Sequence, residues 1–312
     1  MRVRDSSPNA LDCPAKVHYL GIDIGGTKVA FRVETDTGCV DETAFAWAPR
    51  RSAALDLAQL ARHVDELRAR LGTPFAAVGV AMPATVGPAG RITAWPSRPE
   101  WTGVALEASL RAMFPEAAVA WADDGDLGAL AEAQASDCDD LLYLGVGTGI
   151  GGGLVLRGVP CPGLGRGSFE IGHVIVEMGG VRCVCGRQGC LQAIASGPAT
   201  LRRAALLRGT KATFEELRQA MCDGHLWAVA AVEQTCRALA AAVAGVQELV
   251  HPRLVLIGGG FATGIPGLAG LVSDHLAELA RPGQLPLPVQ PAALGGLSSL
   301  RGAVSLARLI AP

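Results

Sequence analysis

Residues 17–33, VHYLGIDIGGTKVAFRV, run apolar and β-branched into a glycine turn and out again. That composition reads as a strand, a tight bend and a second strand. Residues 141–158, LLYLGVGTGIGGGLVLRG, repeat the design. Between the two lie a helical pattern at 54–72 (ALDLAQLARHVDELRARLG), a strand at 75–84 (FAAVGVAMPA), a Pro-rich loop through Trp101 and the acidic stretch VAWADDGDLGALAE at 119–132. Downstream, 198–249 is rich in Ala, Leu and Arg at helical spacing, 253–264 (RLVLIGGGFATG) is a strand ending in glycines, and 299–310 (SLRGAVSLARLI) closes the chain as a helix. Strands alternating with helices predict α/β layers, and two similar halves predict two related lobes. The expected division is a disordered leader at 1–16, a small α/β lobe at 17–122 onto which the helix near 300–312 packs back, and a large α/β lobe at 123–299.

Composition restricts the partners. The 312 residues are 50% hydrophobic and 18% charged, with a net charge of -2 and no block of Lys or Arg to track a phosphate backbone. A nucleic-acid partner therefore has no electrostatic footprint, and small molecules become the expected ligands. The first residues, MRVRDSSPNALDCPAK, lack the apolar core of a signal peptide, and no run reads as a membrane span. These features predict a cytoplasmic protein without disulfides. Six of the nine cysteines, Cys13, Cys39, Cys138, Cys161, Cys222 and Cys236, are scattered and carry no pattern.

Glycine turns between strands let backbone N–H groups approach a ligand, and such groups attract phosphates. In the first turn Asp23, Gly25, Gly26, Thr27 and Lys28 form the expected cradle, with Asp23 orienting the turn or holding a metal-bound water. One turn alone would read more simply as a hairpin. Two turns, the second through Gly147, Thr148 and Gly149, with a further cluster at Gly258, Gly259 and Gly260, fit a nucleotide clamped between two lobes. Neither turn has P-loop or dinucleotide-fingerprint spacing.

In FEIGHVIVEMGGVRCVCGRQGCLQ, residues 169–192, His173, Cys183, Cys185 and Cys190 supply the N/S ligand set of a structural zinc. With all four positions filled by protein, the metal shapes the chain and takes no part in chemistry. In the acidic stretch, Asp124 follows a strand and is a candidate base, Asp126 reads as the N-cap of the following helix, and Glu132 as a helix-surface charge.

LGIDIGGTK, the Asp-bearing turn after a strand, GTGIGGG, E-x-G-H and C-x-C-G-x-x-G-C occur in the order seen in ROK-family sugar kinases, and the chain resembles that family from about Val17 to its C-terminus. The resemblance implies a two-lobed actin-like ATPase fold of the ribonuclease H-like type with a cleft between the lobes and a structural zinc knot. It implies ATP with Mg²⁺ as cosubstrate and a sugar phosphorylated at a hydroxyl whose proton Asp124 accepts. Glu170 and His173 fall on the pair that grips the sugar ring, and Ala84 and Ser97 fall on the sugar side. Dimers or tetramers are implied as well. A DNA-reading module of ROK repressors finds no room in the residues before the first strand.

The departures from the family pattern cluster on the sugar side. Asp123 stands where the family has Asn, Gln192 where it has Glu, and Phe169 and Ala84 where it has Gly. One negative charge has thus moved across the pocket. In the family that Asn contacts the ring near its 3- and 4-hydroxyls and the Glu the opposite edge, so the resemblance implies that an ammonium on carbon 3 would complement Asp123, where an unpaired carboxylate is costly. Kanosamine, 3-amino-3-deoxyglucose, is such a sugar, and phosphorylation at its 6-hydroxyl is the expected reaction; the resemblance places kinases of that kind in ansamycin antibiotic pathways. The alternatives are a glucokinase with Asp123 paired to a protein cation, a C7-cyclitol kinase, and a catalytically silent sugar sensor.

Overall fold

The computed structural model describes residues 17–49, 52–163 and 166–312; the expected leader at 1–16 lies outside them. In chain order the first half contains β1 (His18–Ile24), β2 (Lys28–Thr35), β3 (Gly38–Ala46), α1 (Ala53–Leu71), β4 (Phe75–Ala81), β5 (Thr85–Val86), β6 (Ile92–Ala94), α2 (Leu106–Met113) and β7 (Ala118–Ala122). There follow α3 (Asp124–Ala135), β8 (Leu141–Val146), β9 (Ile150–Leu156), β10 (Val159–Cys161), α4 (Leu191–Ala195), α5 (Gly197–Arg208), α6 (Phe214–Cys222) and α7 (Leu226–Val250). The chain ends with β11 (Leu254–Gly258), α8 (Gly260–Gly264), α9 (Leu268–Glu278), β12 (Val289–Pro291) and α10 (Ser298–Ile310).

The two halves share one sheet topology. Strand order is β3-β2-β1-β4-β7 in the first sheet and β10-β9-β8-β11-β12 in the second. In each, a three-stranded antiparallel meander is extended by two parallel strands. Parallel neighbours require crossover connections, which the helices supply. Both glycine turns are the first hairpin of their meander, so equivalent positions of the two sheets carry the two turns. One core packs around Leu20, Ile22, Val78, Trp95 and Trp101, and a second around Leu142, Leu144, Val243 and Val255.

The C-terminal helix α10 lies on β1 and β4 and against α3. Gly21 and Gly79 are register partners on those strands. A Cβ at Gly79 would stand 2.0 Å from the Ala303 carbonyl oxygen, and one at Gly21 would stand 2.6 Å from Val304 Cγ2. The two glycines therefore set how closely α10 sits on the sheet. Small buried side chains, Ala81, Leu127, Leu130, Ala303 and Leu306, fill the seam between α3 and α10.

One sequence reading changes here. Glu132 is no surface charge: it is fully buried, and its carboxylate accepts from the Ala293 N–H at 2.9 Å, the Leu294 N–H at 3.1 Å and the Ser298 hydroxyl at 2.7 Å. These donors lie 161 to 166 residues away, beyond any local pattern. By length and composition α7, 25 residues long, is apolar enough to cross a membrane. It packs against α4, α5, α6 and α9, with Val232, Cys236, Leu239 and Val243 fully buried, as a core helix does.

Candidate active site

The acidic stretch stands at the end of β7, where the chain leaves the sheet and enters α3. Asp123 is extended at φ -61°, ψ 143°, and its carboxylate accepts from the Gly125 N–H at 3.0 Å. Asp123 is therefore the N-cap, correcting the assignment of that role to Asp126. The helix continues past Asp124 and Asp126, both in its first turn, where the helix dipole favours negative charge. Asp126 is 7% exposed and accepts from the Phe169 N–H at 3.3 Å. It thereby ties the start of α3 to the segment carrying Glu170, whose carboxylate accepts from the Ser168 hydroxyl at 2.7 Å.

Burial dominates the electrostatics. It pushes the Asp123 carboxyl up to about 8, with help from Asp124, Asp126 and Glu170 and against the Gly125 hydrogen bond. Burial likewise raises Asp126 to about 7, with further contributions from Glu170 and Asp124. Asp23 rises to about 6 by burial and the charge of Asp124, opposed by Lys28. Asp124 is raised by burial and Glu170. Among the described residues, no Lys, Arg or His pairs with Asp123, Asp124, Asp126 or Glu170. The site is built to receive positive charge.

Asp123 and Asp124 face a cleft of about 720 Å³. Gly25 and Gly26 enter its wall from the first sheet, Gly147, Thr148, Gly149 and Gly259 from the second, and Ser97, Glu170, His173 and Gln192 complete it. Both glycine turns thus converge on Asp124. Gly259, at φ +88°, leaves no room for a Cβ, which would stand 2.5 Å from the Val146 backbone. Asp23, Thr27, Lys28, Gly258 and Gly260 adjoin these wall residues in the chain without lining the cleft. Ala84 lines a smaller annex of about 110 Å³ that also touches Asp123. Gln192 accepts from the Ile150 N–H at 3.0 Å, which leaves its amide nitrogen as a neutral donor where a glutamate would present charge.

The first turn is held by residues the sequence did not single out. The Trp47 indole N–H donates to the Gly25 carbonyl at 2.8 Å, and Arg98 Nε donates to the Gly26 carbonyl at 2.9 Å. Arg98, 3% exposed, pairs with Asp56, 1% exposed, at 2.6 Å. The same Asp56 oxygen accepts from the Trp101 indole N–H at 2.8 Å, and the guanidinium lies 4.6 Å from the Trp47 ring centroid. A charged pair spaced 42 residues apart leaves no local signature; a lone Arg in a Pro/Trp loop was the available hint.

His173 ends a one-turn helix at Ile171–His173 and belongs to the cleft wall and to the cysteine cluster together. The ligand atoms of His173, Cys183, Cys185 and Cys190 all lie within 4.8 Å of one another. Bridges between Ile175 and Cys190 and between Arg182 and Gln188 hold the loop in that shape. Cys185 Sγ stands 3.6 Å from Cys190 Sγ, and Cys183 Sγ 3.7 Å from His173 Nδ1. Bonds of ~2.3 Å to sulfur and ~2.0 Å to nitrogen give tetrahedral edges of ~3.8 and ~3.5 Å, so the four residues fit a closed metal site.

Two sheets of like topology each offer a glycine turn to one cleft, with a carboxylate at the end of a strand between them, an α/β unit repeated twice around a site. The chain belongs to the ROK family, whose profile matches residues 19–309. It is 71% identical to the kanosamine kinase of Amycolatopsis mediterranei (strain S699) over 294 residues, 94% of this chain and 97% of that one. Among solved structures, a ROK hexokinase from Thermus thermophilus superposes with a TM-score of 0.84 at 29% identity, covering 94% of this chain and 98% of the other. A ROK family glucokinase from Streptomyces griseus, in complex with glucose and AMPPNP, gives 0.74 at 25% identity, covering 94% and 99%.

Proposed function

We propose that this chain transfers the γ-phosphoryl group of ATP to the 6-hydroxyl of kanosamine. The observation that carries the reading is the 71% identity to a kanosamine kinase over 94% of the chain. The geometry supplies a physical reason: Asp123 lies in the cleft wall without a protein cation, and the ammonium of an amino sugar offers the missing charge. Glucose, the runner-up, has a hydroxyl there and leaves the carboxylate unpaired.

Asp124 is the general base. Burial and the charge of Glu170 raise its carboxyl above the ordinary range, which makes it a stronger base than a solvated aspartate. As the O6–H proton passes to Asp124, O6 attacks the γ-phosphorus, the bond from that phosphorus to the β,γ-bridging oxygen breaks, and ADP leaves. Such transfer depends on alignment and charge neutralisation more than on covalent chemistry. The N–H groups of Gly25 and Gly147 close their own turns by donating to the Lys28 and Gly149 carbonyls, and those of Gly26, Thr148, Gly149 and Gly259 are the ones that cradle the phosphates. Mg²⁺ bound with the nucleotide would neutralise phosphate charge; Asp23, set behind the Gly25–Gly26 turn, would reach it only through water. Glu170, His173 and the Gln192 amide position the sugar ring, with Ser97 and Ala84 beside them.

A structural zinc on His173, Cys183, Cys185 and Cys190 would fix the His173 ring against the cleft, with no open coordination position for the reaction. The same reading includes a two-lobed actin-like arrangement with lobes at 17–122, joined by the C-terminal helix, and 123–299. It further includes a homodimer or homotetramer, a cytoplasmic location and a role in antibiotic biosynthesis. Incubation with ATP and kanosamine, with the product read by ¹H–³¹P correlation NMR, tests the reaction. Coupling of phosphorus to the carbon-6 protons is expected; no turnover, or phosphate on another oxygen, would overturn it.

A further inference from the structure

We infer that Asp126 is a second specificity-determining residue, forming with Asp123 a two-carboxylate subsite for the substrate's ammonium in the annex beside the main cleft. The inference rests on the amino-sugar reading above and extends it to a residue whose sequence context indicated only a helix cap.

The annex measures about 110 Å³ and is lined by Ala84, Trp121, Asp123, Asp126 and Ser168 among others. It holds an ammonium group and a few waters but not a sugar ring. Asp123 and Thr85 line both the annex and the main cleft, so the two spaces meet at Asp123. A ring seated in the cleft would therefore send one substituent past Asp123 into the annex. Asp126 is 7% exposed; one oxygen, Oδ1, accepts from the Phe169 N–H, and among the described residues no donor reaches the other. Its second oxygen keeps solvent access on the wall of this small cavity and is open to a donor that the substrate brings. A primary ammonium has three N–H donors and can satisfy Asp123 and Asp126 together. Ala84 and Trp121 line the apolar side of the annex, and an uncharged hydroxyl there offers one donor for two carboxylates and no compensating charge.

The arrangement also assigns the two carboxylates different second duties. Asp123 caps α3 through the Gly125 N–H and so fixes the start of the helix bearing the base. Asp126 fixes the Phe169 backbone and so fixes the approach of Glu170. An ammonium bridging them would neutralise two carboxylates in the first turn of the helix that bears the base.

The test is Asp126→Asn, which keeps an oxygen for the Phe169 N–H and removes only the charge. For wild type and variant, kcat/KM is measured for kanosamine and glucose at saturating ATP, together with calorimetric binding of each sugar without ATP. The ratio of kanosamine to glucose kcat/KM is expected to fall by about ten- to a hundredfold, mostly through KM, with kanosamine binding weakened in parallel. Equal losses for both sugars would make Asp126 only a support for Phe169 and would overturn the inference. Asp123→Asn serves as the reference variant. A ratio that falls in Asp123→Asn but not in Asp126→Asn overturns the second carboxylate while leaving the amino-sugar reading standing. A wild-type enzyme that does not use kanosamine removes both. Should Asp126→Asn fold poorly, Asp126→Ser, read by the same ratio, decides the matter.

Discussion

Asp56→Ala is expected to destabilise the protein and loosen the nucleotide cradle at once. Asp56 and Arg98 are 1% and 3% exposed and lie 2.6 Å apart. Removing the carboxylate leaves a buried guanidinium with the Gly26 carbonyl and only a distant carboxylate, Glu100 at 3.5 Å, and strips the Trp101 indole N–H of its acceptor. Breaking a buried ion pair from one side costs about 3–5 kcal/mol, and the orphaned indole adds about 1 kcal/mol or more. Unfolding entropy of about 2.1 cal/mol/K per residue gives this chain about 0.65 kcal/mol/K, so a loss near 4 kcal/mol lowers Tm by about 6 °C. Asp56→Asn, which keeps an acceptor but loses the charge, is expected to lose roughly half as much. Arg98 also fixes the Gly26 carbonyl, so KM for ATP is expected to rise several-fold in Asp56→Ala. Differential scanning calorimetry and ATP-dependent steady-state kinetics read the two effects. A Tm loss below about 2 °C would refute the energetic reasoning. A full Tm loss with KM for ATP unchanged would refute the link between the buried pair and the turn.

Asp124→Asn is nearly isosteric but cannot take a proton, so kcat is expected to fall about 10²- to 10⁴-fold with KM values little changed; single-turnover kinetics would reveal near wild-type chemistry if the base lies elsewhere. Cys185→Ser is expected to lower zinc content and Tm together, because binding to such a site is coupled to folding; elemental analysis finding no zinc in freshly purified wild type would remove the proposed metal. Asp23, Asp126 and Asp123, raised to about 6, 7 and 8, hold protons in the native state that the unfolded chain has released above about pH 4. Their contribution to stability is therefore complete below that pH and lost as pH rises through 6 to 8. Ligand-free Tm is expected to decline from pH 5.5 to pH 8.5, with kanosamine restoring more of it at pH 8.5 than glucose does; equal restoration by the two sugars would contradict the charge argument.

What the sequence disclosed was mostly local. The glycine turns are legible because backbone geometry demands glycine within a few residues of the strand ends, and the His173, Cys183, Cys185 and Cys190 cluster because its ligands lie close along the chain. Asp124 was visible as a carboxylate following a strand, and Asp123 as a departure from the family's Asn. The illegible parts depend on residues far apart in the chain. Glu132 looked like a surface charge because Ala293, Leu294 and Ser298, which satisfy it, come from the other end of the molecule. Asp126 looked like a cap because Phe169, its partner, is 43 residues away. The Asp56–Arg98–Trp101 group spans α1 and an irregular loop, where no periodicity connects them. Even the close approach of α10 to the sheet rests on Gly21 and Gly79, which read in isolation only as weak points in two strands.

The central claim is that an unpaired carboxylate at position 123 selects a cationic sugar. The most direct measurement is the ratio of kcat/KM for kanosamine and glucose in the wild-type enzyme and in Asp123→Asn, at a pH where the amine is protonated. A wild-type preference for kanosamine that drops about ten- to a hundredfold in Asp123→Asn is expected. A wild-type preference for glucose, or a ratio that does not move on substitution, would contradict it.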